Sequence, residues 1–204
     1  MIEGTGAAFC TGADLPDAQT ECIATAALID AANPLILTII DYRVPVIAAV
    51  HSPAAGFGVS LALACDLVLA AESGYFLLAF TKVGLMPDGG ATELVATSIG
   101  RARAMRMALL AERISAREAF ECGLISHTCP DEAFDSTLEK MLHTLGHGPF
   151  DALRHTKDTI DQTTLTGLDA AFGRERSGQV ELITSPDFAE GSAALRSKRP
   201  AMFR

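Results

Sequence analysis

Residues 45–64, "PVIAAVHSPAAGFGVSLALA", contain no Lys, Arg, Asp or Glu. An uncharged, mainly apolar stretch of this length has two ways to leave water: it crosses a bilayer or it lies in the centre of a protein core. The punctuation inside the stretch separates the two. His51, Ser52, Pro53, Gly56 and Gly58 interrupt it, so a strand, a turn and a buried helix fit better than one spanning helix. "VIAAV" (46–50), bounded by Pro45 and "HSP", suits a strand covered on both faces. "GFGVSLALACD" then suits a glycine turn entering a helix that is apolar on all sides.

The rest of the chain extends this pattern. "LVLAA" (67–71) and "YFLL" (75–78) read as further strands, and "GATELVATSIG" reads as a helix that Gly100 ends. "RARAMRMALLAE" is an amphipathic helix. "SAREAFECG" places Ser115 and Glu118 in capping-box spacing and stops at Gly123. Four later segments, "PDEAFDSTLEKMLHTLG", "PFDALRHTKDTID", "LDAAFGRERSGQVELI" and "PDFAEGSAALRSK", all suit helices. Strand and helix therefore alternate at first and helices follow, an α/β chain with a helical C-terminal region and no repeat at fixed spacing. With 204 residues, 49% of them hydrophobic, one sizeable core is within reach without staples.

Charge narrows the class of ligand. The formal net charge is −9, with 25 acidic against 16 basic residues, which argues against binding a phosphate backbone. A phosphorylated ligand would need a local basic cluster. The densest is the end, "RSKRPAMFR", with Arg196, Lys198, Arg199 and Arg204, which fits either a solubilising tail or a clamp for an anionic ligand. Arg101, Arg103 and Arg106, near Glu93 and Glu112, suit a solvent or subunit face. Five cysteines, Cys10, Cys22, Cys65, Cys122 and Cys129, show no CxxC pair, and five histidines show no HExxH spacing. Reduced thiols, a cytoplasmic setting and no metal are expected. No signal segment opens the chain.

Three motifs could carry chemistry. "GFGVS" has GxG ahead of a helix, which fits an anion site or a tight turn; the third glycine of a dinucleotide fingerprint is Leu61 instead. "GVSLA" (58–62) is a GxSxG elbow whose last glycine is Ala62, with His51 and Asp66 as conceivable triad partners of Ser60. "GLMPDGG" (84–90) places one carboxylate, Asp88, in a turn of Gly and Pro. Asp88 suits a helix N-cap. It equally suits a general base if it lies in an apolar cleft, where desolvation would raise its pKa, and Phe57, Phe76, Phe80, Leu85 and Met86 are available as lining.

Taken together, "GTGAAFCTGADL" (4–15), "VPVIAAVHSPAAGFGVSLALACDLVLAA" (44–71), "FTKVGLMPDGGATELVATSIGRARA" (80–104), "ISAREAFECGLI" (114–125) and the closing "SKRPAMF" resemble the enoyl-CoA hydratase/isomerase (crotonase) family. The segments match in order along nearly the whole chain, and they look most like the isomerase branch of phenylacetate-type degradation. The resemblance implies a spiral of strand-strand-helix turns over residues 1–125 and a helical trimerisation region over 126–204. It implies a homotrimer or a dimer of trimers, no cofactor, and coenzyme A only as part of an acyl-CoA substrate. The substrate's thioester oxygen would lie between the backbone N–H groups of Ala13 and Phe57, at the positive end of the helix opening there. An acyl pocket of Phe76, Phe80, Leu85 and Met86, and a CoA phosphate contact at Lys198 and Arg199, complete the expected site.

Two departures from the family pattern carry information. The two glutamates with which family hydratases grip water correspond to Ser60 and Phe80, so water addition is not expected. Asp88 stands where family isomerases carry a single carboxylate in "PDxG". An isomerase moving the double bond of a 3-enoyl-CoA to give a 2-enoyl-CoA is the leading expectation; a catalytically silent acyl-CoA binding protein of the same fold, or a hydratase, is the alternative. The chain also begins almost on the "AFCxGAD" segment, where family members carry a few tens of residues ahead of it. A shortened start would leave an exposed sheet edge and weaken CoA binding.

Overall fold

The computed structural model describes residues 1–13 and 26–203. Cys22 and Arg204, both named above, lie outside the described residues, as do Asp14 and Leu15 of the first matching segment. A four-stranded parallel sheet runs in the order β1 (Ile2–Glu3), β2 (Ile47–Val50), β4 (Leu67–Ala71), β7 (His127–Cys129). A smaller sheet joins β3 (Ala54–Ala55), β5 (Tyr75–Leu77) and β6 (Ile114–Ser115). The α/β architecture expected from the sequence is the one observed.

Period-two alternation explains why the central strands read as continuous apolar runs. Val46, Ala48, Val50, Val68 and Ala70 enter the main core together with α1 (Ala26–Ile40) and α2 (Phe57–Leu63). Their neighbours Ile47, Ala49, Leu69 and Ala71 face the opposite way, against Phe134, Leu138, Met141 and Leu145 of α5 (Phe134–Gly146). Both faces are thus covered, and the small alanines let helices approach closely. The charge-free stretch becomes β2, β3 and α2; among the described residues no helix is long and apolar enough to cross a membrane.

Gly100 is the one place where a continuous helix and the expected break coincide. α3 runs Ala91–Leu110, yet Gly100 has φ 76° and ψ 159°, so the backbone kinks where the sequence marks an end. At α4 (Ala116–Glu121) half of the capping box forms: Ser115 accepts from the Glu118 N–H, while the Glu118 carboxylate turns to Arg106. Arg106 also pairs with Glu112 on the surface, as a solvent face requires.

β7 carries the sheet on to Cys129, four residues past position 125, and the helices α6 (Phe150–Thr164), α7 (Leu168–Leu182) and α8 (Pro186–Arg196) follow α5. One buried ion pair fastens them to the sheet. Lys157 of α6 meets Asp66 at 2.8 Å, and the same carboxylate accepts from the Val46 N–H at the start of β2. Cys10, Cys65, Cys122 and Cys129 are free thiols, and burial pushes Cys65 up to about 12, so it behaves as an apolar filler.

Candidate active site

Two backbone segments meet at the start of α2. The Cys10 carbonyl accepts from the Ala55 N–H at 2.8 Å, laying residues 10–12 alongside β3. Gly12 follows with φ 93°, and a Cβ there would lie 3.3 Å from both the Phe57 nitrogen and the Ala55 oxygen. Only glycine allows this approach, and it sets the residue before Ala13 against the first residue of α2. Gly56 is the N-cap of α2 and supplies no side-chain acceptor. At seven residues α2 is short, so what it offers an anion is the local N–H groups of its first turn rather than a long dipole.

The turn bearing Asp88 packs on the same end of α2. A Cβ on Gly89 would stand 2.6 Å from the Phe57 ring and 3.1 Å from Ser60 Cβ. The Ser60 hydroxyl, fully buried, donates to the Asp88 carbonyl at 2.8 Å. The turn is therefore fastened beside the first turn of α2, which Gly89 makes sterically possible.

The Asp88 carboxylate does not cap α3. Gly90 is the N-cap, and the donors of that first turn go to Glu175 of α7: Gly90 N–H at 2.7 Å, Thr92 N–H at 2.9 Å and the Thr92 hydroxyl at 2.6 Å. Gln179, one turn further along α7, donates Nε2–H to Asp88 Oδ2 at 2.8 Å, and its Oε1 accepts from the Met86 N–H at 3.4 Å. Burial pushes the Asp88 carboxyl up to about 6; the Gln179 donor opposes that rise and the nearby Glu175 charge adds to it. Burial likewise raises Glu175, while its three donors pull the other way.

The remaining expected residues divide. Leu85 and Met86 are half-buried beside the turn, with the Met86 thioether against Gly178 of α7. Phe80 is buried at the margin of the core. Phe76 is completely enclosed between β3 and β6, so it shapes the core and presents no surface to a cleft. The two-residue phosphate contact also needs correction. Arg199 is held by both oxygens of Glu190, which also accepts from the Met202 N–H, and the pair keeps the Glu190 carboxyl down to about 2. Lys198 is exposed and sits at a left-handed backbone position just past α8.

The serine triad is ruled out by the same bonds. Ser60 serves the Asp88 carbonyl, Asp66 serves Lys157, and the Gly6 carbonyl accepts from His51 Nε2, so the three never meet. Among the described residues no cluster of His, Cys, Asp and Glu could hold a metal ion. Glu175 and Gln179 were not foreseen. Their signal is a polar pair on the buried stripe Leu168, Ala171, Phe172, Glu175, Gln179, where a helix is otherwise apolar.

Comparison with known proteins fits this arrangement. A family model described as enoyl-CoA hydratase/isomerase matches residues 1–204. The chain belongs to the enoyl-CoA hydratase/isomerase family. Among its relatives, a "Probable enoyl-CoA hydratase" of Rhodobacter capsulatus is 41% identical over 204 residues, spanning all of this chain and 79% of that protein. The 1,2-epoxyphenylacetyl-CoA isomerase of Escherichia coli is 36% identical over 208 residues, again spanning all of this chain and 79% of the relative. In three dimensions, the crystal structure of an enoyl-CoA hydratase from Mycobacterium avium subsp. paratuberculosis superposes with a TM-score of 0.93 at 46% identity, covering 99% of this chain and 78% of that one. The crotonase-type spiral is therefore the fold of this family member, and the phenylacetate branch is among its relatives.

Proposed function

We propose that the chain is an enoyl-CoA isomerase that converts a 3-enoyl-CoA to the 2-enoyl-CoA. Asp88 takes a proton from C2, and the electron pair of the C2–H bond flows through C1 onto the thioester oxygen. That oxyanion rests on the Ala13 and Phe57 N–H groups. The acid formed on Asp88 then returns the proton at C4 as the electrons move back, leaving the double bond between C2 and C3. No oxidant, metal or second acid is consumed.

The observation that carries this reading is that the Asp88 carboxylate is not spent on capping α3. Helix α3 draws its cap from Glu175, so Asp88 stands beside the α2 entrance with its pKa raised to about 6, suited to taking and returning a proton near neutrality. Hydration is the second reading, favoured by the name of the Rhodobacter capsulatus relative. Water addition needs a base for the water and an acid for the carbon. Here Ser60 and Phe80 occupy the expected positions, and Glu175, the other carboxylate acting on Asp88, is spent on three α3 donors.

The discriminating experiment supplies 3-hexenoyl-CoA and 2-hexenoyl-CoA in parallel. Isomerisation of the first, with hydration of the second slower by orders of magnitude, supports the proposal; brisk hydration overturns it. Absence of both reactions with retained acyl-CoA binding supports the silent binding protein. A homotrimer or dimer of trimers goes with the same reading, and light scattering on the purified chain checks it.

A further inference from the structure

Gln179 is a buried carboxamide on a helix face that could have been filled by a leucine, so its polar atoms call for an explanation. Its orientation is fixed by the main chain. Oε1 faces the Met86 N–H, which leaves Nε2, a donor only, aimed at Asp88 Oδ2 at 2.8 Å. We propose that Gln179 is a positioning residue that gives the two oxygens of Asp88 separate tasks, pinning Oδ2 so that Oδ1 alone receives the C2 proton and returns it at C4. This inference rests on the isomerase reading above.

A donor on Oδ2 is compatible with Asp88 as a carboxylate and with Asp88 as an acid protonated on Oδ1, but it opposes a proton on Oδ2. A pinned carboxyl group does not rotate during the lifetime of the dienolate. The C2–H bond breaks, the hydrogen is held as Oδ1–H, and that bond breaks as C4–H forms. Because Nε2 carries no lone pair able to accept, the proton has no exit through α7. The turn carrying Asp88 is met by Phe57 and Ser60 from α2 and by Glu175 and Gln179 from α7; Glu175 is the titratable group whose charge acts on Asp88. Both partners from α7 thus bear on one carboxyl group in opposite senses, Gln179 favouring the ionised form and Glu175 disfavouring it.

The test uses 3-hexenoyl-CoA deuterated at C2 and follows two quantities across pH: kcat/KM, and the share of label delivered to C4 of the product. In Gln179→Leu, kcat falls about tenfold with KM little changed, since one hydrogen bond to a charged group is lost. Its acid limb moves to higher pH and the share of label at C4 drops. Gln179→Glu keeps the shape of the side chain and moves the acid limb further up, because two carboxyl groups then compete for one proton; it carries the test if the leucine variant does not fold. A variant with lower kcat but an unchanged acid limb and unchanged label transfer means Gln179 is structural, which overturns the inference. A wild type that delivers no label to C4 overturns it as well. Asp88→Asn separates the two levels: if it still turns over, the isomerase reading itself fails, whereas an inactive Asp88→Asn beside an unaltered Gln179→Leu removes the Gln179 role alone.

Discussion

Helices α2 and α3 begin alike and are used differently. Each starts after a glycine with positive φ, Gly56 at 55° and Gly90 at 78°, and neither glycine can cap its own helix with a side chain. At α3 the open donors are filled from within the protein, by Glu175 reaching across from α7. At α2 no protein carboxylate is supplied among the described residues; the segment brought there, Gly12–Ala13, carries another N–H donor. One helix end is closed so that the aspartate next to it is not drawn into capping. On the isomerase reading, the other is left as a place for developing negative charge. A carboxylate in a glycine turn is thus spared from capping when a second carboxylate arrives from elsewhere in the chain.

Removing the base should have the largest effect. Asp88→Asn is expected to lower isomerase kcat by about 10²- to 10⁴-fold, the usual contribution of general acid–base catalysis, while acyl-CoA binding by titration calorimetry is retained. Wild-type kcat/KM should fall as pH drops through about 6, because the base must be ionised. Stability runs the opposite way. The folded-state pKa of Asp88, about 6, lies above the ordinary 3.8, so the folded chain holds this proton more tightly than the unfolded chain. Falling pH between about 6 and 4 therefore stabilises, and above 6 the ionised, desolvated carboxylate costs on the order of 2–3 kcal/mol. Asp88→Asn should accordingly melt higher than wild type at pH 8, and the gain should vanish near pH 4. A lower melting temperature at pH 8 would break the contrast between the two helix ends at its centre.

Opening the closed end is the next strongest perturbation. Glu175→Ala leaves three donors of α3 without their acceptor and is expected to cost about 2–3 kcal/mol in denaturant unfolding. The freed N–H groups then compete for Asp88, which swings toward them. Displacement of that kind should reduce kcat by about tenfold to a hundredfold without removing any group that touches substrate. A stability loss with unchanged kcat would show that Asp88 is held by Gln179 alone.

Much of this was legible in the sequence, and what was not has a common cause. Periodicity and glycine punctuation placed β2, α2, β4, β5 and the four final helices, because those signals are local. The two-residue strands β1, β3 and β6 and the three-residue β7 were missed: pairing with distant partners makes them strands, not their own composition. α1 was missed too, its pattern interrupted by Pro34. In the site, Asp88, Phe57 and Ser60 were singled out from short motifs. Glu175 and Gln179 lie some 90 positions away in sequence, and a single chain carries no mark that α7 packs against that turn. Arg199 shows the reverse error, a basic cluster read as available when Glu190, on the preceding helix, already holds it.

Ser60 offers the smallest and sharpest comparison, since the family resemblance assigns its position to a hydratase glutamate, whereas a serine hydroxyl does not ionise near neutral pH. Its hydroxyl is one of two donors on the Asp88 carbonyl, the other being the Ala91 N–H at 3.3 Å. Ser60→Ala removes one neutral hydrogen bond and a single oxygen, worth about 1 kcal/mol. With Glu175 and Gln179 still gripping the turn, kcat should drop only about twofold to fivefold, consistent with that figure being shared between folding and catalysis. Ser60→Glu is expected to do more harm, because Gly89 leaves only 3.1 Å between its own missing Cβ and that of Ser60, and a buried carboxylate there would sit beside Asp88. Such a variant should melt lower and gain no hydratase activity. Hydration of 2-hexenoyl-CoA by Ser60→Glu would mean that the position can still grip water and that its serine is a reaction switch rather than a support for the turn.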